Sequence, residues 1–338
     1  MSRSPSIEPR FELPRWLRNA HVQTLGAALP LWLAGPEPSS ESVMIPLLHG
    51  EQGWLHGRVD WHDGAAPRAA VVVAHGVGGT SESRYAIRAA RALRRAGFHV
   101  LRIDLRGAGE GVREAPSLYH AALTRDLAAA VAWLGGSPRV DGVFVLGFSL
   151  GGHIALRWAG ELGSDVEARG PLRAIAALSA PLDLELTTRA IERRRSAPYH
   201  RYIARGLQQQ GHAFATLHPE RAHYTLRELA RVRTVRQYDT LVIAPMHGWR
   251  SAEDYYAEAS AGPWLSRIEV PTLVVHAEDD PMVPATLVKG LLATAAPAVE
   301  QSWSAHGGHV GWFAGLGERA WLNTWAIDRV LEFFRRQS

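Results

Sequence analysis

The chain contains no cysteine. It can therefore form no disulfide, no thiol nucleophile and no thiolate metal site, which excludes small secreted scaffolds held together by disulfides. Lysine is nearly absent as well, since Lys289 is the single lysine among 37 basic residues. The formal net charge is only +4, and arginine gives this basic balance without implying a nucleic-acid partner. We expect no nucleic-acid binding.

A long hydrophobic run is also missing. Residues 1–15 lack the apolar centre of a signal peptide. The longest apolar stretch near the start, residues 25–34, contains Pro30 and is about half as long as a membrane-spanning helix. We expect a cytoplasmic protein without a transmembrane segment, and composition specifies no oligomeric state.

Apolar, β-branched segments alternate with segments of helical periodicity over most of the chain. The predicted strands are residues 69–74, 98–105, 143–148, 174–180, 271–276 and 299–303, preceded by an antiparallel pair at 43–48 and 54–61. The predicted helices are residues 84–96, 117–134, 150–162 and about 321–334. This order predicts an α/β fold with a mostly parallel sheet of about eight strands and helices on both faces.

The alternation stops after Asp183 and resumes at Pro271. One α/β domain with an insertion explains this better than two domains in series. We predict that residues 1–184 form a lead-in and the first part of the core, that residues 185–262 form an inserted helical cap, and that residues 263–338 complete the core.

The predicted cap is rich in arginine, since residues 189–236 carry 11 arginines against 3 glutamates. Apolar residues recur at every third position from Leu226 to Val235 with arginines between them, which predicts an amphipathic helix. Its basic face, together with residues 193–195, would attract an anionic membrane surface. The interpretation we favour is a solvated arginine face in a chain that uses arginine for nearly all positive charge.

The most informative motif is Gly147-Phe148-Ser149-Leu150-Gly151, between a predicted strand and a predicted helix. A Gly-x-Ser-x-Gly sequence at such a turn is typical of a nucleophile elbow, although the same five residues also fit an ordinary turn. The glycines are required because the turn is tight and a Cβ two residues from the serine would clash with it. The Ser149 hydroxyl would point outward, above the positive end of the following helix.

A serine nucleophile needs a base to take its proton and an acid to orient that base. In parallel sheets such groups lie on loops after the strands. The loop after the penultimate predicted strand offers two candidate acids, Asp279 and Asp280, and the loop after the last strand offers His306 and His309. His309 is the better base because the preceding glycine pair lets it swing toward the serine. The order Ser, Asp, His is the one expected of this architecture.

The oxyanion of an acyl-transfer intermediate needs hydrogen-bond donors, which in such a turn are two backbone amides. One is the amide of Leu150, directly after the nucleophile. The other comes from the loop after strand 69–74, where we choose Val77 because the glycines around it let the backbone approach a substrate closely.

No cofactor or metal is expected. The glycines of residues 107–111 have the spacing GxGxG, which lacks the step at which a dinucleotide-binding helix packs, and no phosphate-binding GK[ST] occurs. His306 and His309 lack a carboxylate at convincing spacing for a metal site.

Taken together, these features resemble the α/β-hydrolase superfamily and, within it, the YheT-like family. The segments that carry the resemblance span nearly the whole chain: Trp16-Leu17-Arg18-Asn19-Ala20-His21-Val22-Gln23-Thr24, His75-Gly76-Val77-Gly78-Gly79-Thr80, residues 239–260 with His247-Gly248-Trp249 and Asp254-Tyr255-Tyr256, Asp279-Asp280-Pro281, and Gly307-Gly308-His309-Val310-Gly311.

The resemblance implies that Ser149 is the nucleophile, Asp280 the acid and His309 the base. It implies a serine hydrolase that cleaves carboxylic esters with short to medium acyl chains, lipid esters among them, with a small-molecule acyl ester as its partner. An acyltransferase that passes the acyl group to an alcohol is the alternative, because it uses the same acyl-enzyme. The intact set of Ser149, Asp280 and His309 argues against a binding protein without turnover.

Overall fold

A computed structural model describes residues 11, 13–26, 40–64, 66–193, 196–315 and 324–338. The strands of this part form one sheet. They are β1 (Glu41–Pro46), β2 (Trp54–Asp60), β3 (Arg68–Ala74), β4 (His99–Ile103), β5 (Val140–Phe148), β6 (Leu172–Leu178), β7 (Thr272–Ala277) and β8 (Val299–Ser304). Their order across the sheet is β1, β2, β4, β3, β5, β6, β7, β8. Strand β2 is antiparallel to both neighbours and β3 to β8 are parallel, which confirms the predicted mostly parallel sheet.

The central strands β3, β5 and β6 are apolar along most of their length because both faces of the sheet are covered. In β3, Val71 and Val73 belong to the core on one face, and Val72 belongs to the core on the other. The register pairs Ala74 of β3 with Gly147 of β5. Both strands therefore end at the same edge of the sheet, and the loops that follow them are neighbours.

Helices cover both faces, as predicted. The α-helices of the described residues are α1 (Ala20–Gly26), α2 (Arg84–Arg95), α3 (Arg125–Gly135), α4 (Leu150–Leu162), α5 (Val166–Arg169), α6 (Leu184–Ile191), α7 (Ala197–Leu217), α8 (Leu226–Leu229), α9 (Val235–Tyr238), α10 (Ala244–Met246), α11 (Ala252–Ala259), α12 (Ala285–Leu292) and α13 (Trp325–Arg336). Helices α2 and α13 share one core, in which the rings of Phe144 and Phe334 stack with centroids 4.5 Å apart. Helices α3, α4 and α12 belong to the core on the opposite face.

A helical segment lies between β6 and β7 and contains α6 to α11. Its residues Phe214, Tyr238 and Tyr256 are fully buried and belong to the same core as α3 and α4. The segment therefore packs onto the sheet side that carries those helices. It contains residues 185–262, and their role as a cap stays a prediction.

Two predicted helices differ from the structure. The helix predicted from residue 117 begins only at Arg125, because tertiary contacts fix the preceding loop: the Tyr119 amide donates to the Arg106 carbonyl at 2.8 Å, and the Ala121 amide donates to the Tyr255 hydroxyl at 2.9 Å. The start predicted for the last helix, residue 321, lies outside the described residues.

The single amphipathic helix predicted from Leu226 to Val235 is wrong. The structure has two short helices there, α8 and α9, because Thr225 and Thr234 each cap a separate helix with the side-chain oxygen. The arginine face is accordingly broken: the Arg236 guanidinium is paired with Glu185 and Glu253 at 2.8 and 2.5 Å. Residues 194 and 195 lie outside the described residues. No helix within the described ranges is long and apolar enough to cross a bilayer.

Candidate active site

Ser149 stands alone in the turn between β5, which ends at Phe148, and α4, which begins at Leu150. Its backbone angles, φ 49° and ψ −114°, lie in a region that residues with a side chain rarely adopt, and such strain concentrates at functional sites. The Ser149 amide donates to the Leu178 carbonyl at 2.8 Å. This bond ties the turn to the end of β6 and holds the strained conformation.

The two glycines of the motif have a steric role, as predicted, but the clashes they avoid lie elsewhere. A Cβ on Gly147 would collide with the Gly151 carbonyl, and a Cβ on Gly151 would lie 2.5 Å from the carbonyl oxygen of Ala74 at the end of β3. The glycines therefore let the first turn of α4 sit directly against β5 and β3. They relieve this helix and its strands rather than the serine itself.

Asp280 and His309 meet at the same edge of the sheet, on the loops after β7 and β8. The His309 Nδ1 lies 2.9 Å from Asp280 Oδ2, and Asp280 Oδ1 accepts from the amides of Met282 and Val283 at 2.8 and 2.9 Å. Burial alone raises the pKa of the Asp280 carboxyl, but the facing imidazoles of His309 and His276 and the Val283 amide outweigh it and hold the pKa below its ordinary value. The ionised carboxylate accepts from Nδ1–H, which leaves Nε2 of His309 as the proton acceptor.

The structure distinguishes Asp280 from Asp279, the two candidate acids in the loop after β7. Asp279 lies 3.2 Å from His306 Nδ1 and accepts from the Gly308 amide at 2.9 Å. It pairs with the more exposed histidine and fixes the loop, whereas Asp280 pairs with His309, which is 5% exposed.

The glycine pair before His309 has a packing role. A Cβ on Gly308, which has φ +57°, would collide with the Ala20 carbonyl of α1. The His309 amide donates to Thr24 Oγ1 at 2.9 Å. These contacts hold the backbone of the loop against α1, and the freedom of the imidazole to swing stays a prediction.

The N-terminal lead-in, to which the residues alone assigned no role, braces this loop. The Gln23 side chain is fully buried; its Nε2 donates to the carbonyls of Leu17 and Phe313 at 2.9 and 3.0 Å, and its Oε1 accepts from the Phe313 amide at 2.7 Å. The signal available in the sequence was a pair of polar residues, Gln23 and Thr24, next to the apolar residues of the lead-in.

The loop after β3 presents the predicted oxyanion donor. The amide of Gly76 donates to the Tyr85 hydroxyl and that of Gly78 to the Tyr119 hydroxyl, both at 2.8 Å. The Gly79 amide donates to the Gly76 carbonyl at 3.0 Å. No hydrogen-bond acceptor for the Val77 amide is found within the described residues.

Two cavities meet at Ser149 and His309. Both are also lined by Val77, Ile203 and Met282. The inner cavity, of about 90 Å³, runs beneath the helical segment and is mostly apolar. The outer cavity, of about 720 Å³, is more open and extends past Tyr199 and Tyr202. In the described part of the chain no hydrogen bond joins the Ser149 hydroxyl to the His309 ring, and catalytic bonds of this kind often tighten only around a substrate.

Sequence reasoning missed two polar groups of the inner cavity. Asp239 is 7% exposed, and burial raises its pKa to about 7. Burial, with the nearby charges of His247 and Arg106, lowers the pKa of His120 to about 2, so this ring is neutral. Both residues line the inner cavity. No local sequence motif indicates that either residue is buried, because burial is set by the tertiary fold.

No three His, Asp or Glu side chains converge on a possible metal position within the part of the chain that the structure describes.

Residues 69–315 match the family model described as alpha/beta hydrolase fold. The chain is 30% identical over 347 residues to YheT of Escherichia coli (strain K12), a protein named as an esterase, and the match covers 98% of this chain and 96% of that protein. It is 26% identical to the phospholipase ABHD3 of Mus musculus, over 98% of this chain and 79% of the relative.

Among solved structures, the Pyrococcus furiosus esterase Pf2001 superposes with a TM-score of 0.56, covering 97% of this chain and 98% of that one. The identity of 18% makes this a likeness of fold.

Proposed function

This chain belongs to the α/β-hydrolase family, among the YheT-like ester hydrolases, and on that premise we propose that it cleaves short- to medium-chain carboxylic esters through an acyl-enzyme on Ser149. The observation that carries the proposal is the buried Asp280–His309 pair, joined at 2.9 Å, whose His309 lines the same cavity as the strained Ser149. A nucleophile, a base and an orienting acid are thereby available in one place.

In the first step His309 Nε2 takes the Ser149 proton while Ser149 Oγ attacks the acyl carbonyl. The Asp280 carboxylate stabilises the imidazolium that forms and keeps its own charge. The amides of Val77 and Leu150 bind the oxyanion. Val77 has no other acceptor in its loop, and the first amides of a helix such as α4 have no partner within the helix. Each such donor lowers the barrier by about 3 kcal/mol.

In the second step His309 gives its proton to the leaving alcohol, which departs as the acyl-enzyme forms. His309 then takes a proton from a water molecule, whose oxygen attacks the acyl carbonyl, and returns that proton to Ser149 Oγ as the free acid is released. We assign the acyl chain to the inner cavity, because that cavity is mostly apolar and is the smaller and less open of the two. The leaving alcohol and the incoming water then use the outer cavity, which is larger and more open. Residues 185–262 act as a cap in this assignment, since Thr188, Leu207 and Tyr256 are among their side chains that line the acyl cavity.

Hydrolysis of p-nitrophenyl butyrate by the parent and by Ser149→Ala tests the proposal. We expect the variant to lose at least about 10³-fold in kcat/KM, because only binding and the oxyanion donors remain. A fluorophosphonate probe should label the parent and not the variant. Ser137→Ala, at an exposed turn, is the matched control and should behave as the parent. Equal rates for the parent and Ser149→Ala would end the proposal.

Transfer to an alcohol is the alternative, because the outer cavity that admits water also has room for an alcohol. Product analysis with an ester and increasing added alcohol separates the two. A new ester that grows with alcohol concentration favours transfer, and free acid alone at every concentration removes it.

A further inference from the structure

The inner cavity contains one acidic side chain whose position needs a chemical reason. Asp239 opens a single π-helical turn, Asp239–Ile243, between α9 and α10. Such turns inside α-helices occur frequently at functional sites. The side chain is 7% exposed, and what remains exposed belongs to the wall of the cavity that also contains Ser149.

Among the described residues, one of the two carboxyl oxygens of Asp239 has a hydrogen-bond partner. Oδ2 accepts a hydrogen bond from the Tyr256 hydroxyl at 2.6 Å. Within the described residues Oδ1 accepts none, and it is not sealed among apolar atoms. A buried carboxyl with an unfilled oxygen is costly unless something supplies the missing hydrogen bond.

The nearest cation does not fill this place. The Arg236 guanidinium is committed to Glu185 and Glu253 and lies 5.3 Å from the centroid of the Tyr256 ring. Tyr256 therefore contacts Arg236 with the face of its ring and donates a hydrogen bond to Asp239 from its hydroxyl. This arrangement holds the carboxyl in place while Oδ1 stays open to the cavity.

We propose that Oδ1 of Asp239 is a recognition site for a hydroxyl group on the acyl chain of the substrate, so that hydroxyacyl esters are preferred over plain acyl esters of equal length. The inference rests on the proposed function, since the acyl chain must occupy the inner cavity. A hydroxyl suits the site in either protonation state of Asp239, because it can donate to the carboxylate or accept from the carboxylic acid. The apolar wall around the carboxyl suits the methylene groups before that hydroxyl.

The preference follows from the cost of an unsatisfied polar group. A plain acyl chain displaces water from Oδ1 and returns no hydrogen bond, whereas a hydroxyacyl chain restores one. Sites built around a substrate hydroxyl discriminate strongly against analogues that lack it. From the cost of leaving one buried polar group without a hydrogen bond, we expect kcat/KM to favour the hydroxyacyl ester by about 10- to 100-fold at the length that brings its hydroxyl to Asp239.

The experiment compares p-nitrophenyl esters of ω-hydroxy acids with plain esters of the same length, from butanoate to decanoate. The readout is the ratio of the two kcat/KM values, which a purely structural role of Asp239 would not move. We expect this ratio to peak at one length in the parent and to fall to near one in Asp239→Leu. Asp239→Asn keeps the shape and should give an intermediate ratio, which keeps the test informative if the leucine variant does not fold. Asp63→Asn, at a side chain that is 93% exposed and outside the cavity, is the control and should keep the parent ratio.

The two proposals fail in different ways. If the parent cleaves plain and hydroxyacyl esters equally at every length, or if Asp239→Leu keeps the parent ratio, the recognition site is refuted and the hydrolase is not. If the parent and Ser149→Ala are equally inactive on every ester, the proposed function itself is refuted, and the recognition site with it.

Discussion

Asp239→Asn should change how the stability of the protein depends on pH. Burial raises the pKa of Asp239 from 3.8 to about 7, against the Tyr256 hydrogen bond and the charge of Arg236, which lower it, while Glu192 adds to the rise. The fold therefore favours the neutral acid. This contribution to stability is fully present at pH values below the pKa of Asp239 in the unfolded chain. It is lost as the pH rises through the pKa of Asp239 in the folded chain. At 1.36 kcal/mol per pKa unit the whole loss is roughly 4 kcal/mol, of which about 2.5 kcal/mol falls between pH 5 and pH 8.

Asparagine keeps the shape and can accept from Tyr256, but it cannot ionise. Urea unfolding of the parent and of Asp239→Asn at the two pH values gives the free-energy difference between them. We expect this difference to move in favour of the variant by about 2.5 kcal/mol on going to the higher pH. Asp63→Asn, at a side chain that is 93% exposed, supplies the surface control. A difference between parent and Asp239→Asn that stays constant within about 0.5 kcal/mol would refute the reasoning, because it would mean that Asp239 ionises equally easily in the folded and unfolded chains.

Three further variants and one binding experiment test other parts of the structure. Asp280→Asn should lower kcat by about 10⁴-fold without loss of fold, because the base loses its orienting carboxylate; a decrease below tenfold would contradict the assigned role. Gly151→Ala should lower the thermal midpoint of unfolding, since the new Cβ would lie 2.5 Å from the Ala74 carbonyl oxygen. The control Gly290→Ala, which has open space around it, should raise the midpoint slightly. Equal shifts in the two variants would argue against the steric role of Gly151. Gln23→Leu should cost about 1–3 kcal/mol of stability through unsatisfied buried groups and should also lower kcat, and a variant that loses stability alone would show that the lead-in does not position the base. If the arginine face is only solvated, the amount of protein that sediments with lipid vesicles should not depend on their anionic lipid content.

The identity of the strands and their order along the chain could be predicted from the sequence, because the signal is local. The inner parallel strands are largely apolar runs, and the six strands from β3 to β8 were predicted with errors of at most three residues at their ends. The elbow is equally local, since the two glycines and Ser149 stand within five residues. Candidate acids and bases could be found as well, because side chains on loops after parallel strands gather at one edge of the sheet.

Errors arose where specific hydrogen bonds override helical periodicity. The segment before α3 has helical periodicity, but hydrogen bonds to Arg106 and Tyr255 hold it as a loop. The three-residue repeat from Leu226 to Val235 is divided into two helices, because Thr225 and Thr234 each cap one of them. In both cases a few hydrogen bonds outweigh a weak propensity.

The sequence by itself determined the fold class, the strained serine and the short set of residues that could act with it, because these follow from periodicity and from spacing within single loops. Only the tertiary structure decided which aspartate faces His309, why Gly308 must be a glycine, and what the lead-in does. It alone revealed Asp239 as an acid inside the inner cavity. The physical reason is that burial, pairing and pKa depend on distances between residues far apart in the chain, and those distances are fixed only when the sheet, the lead-in and the helical segment pack together.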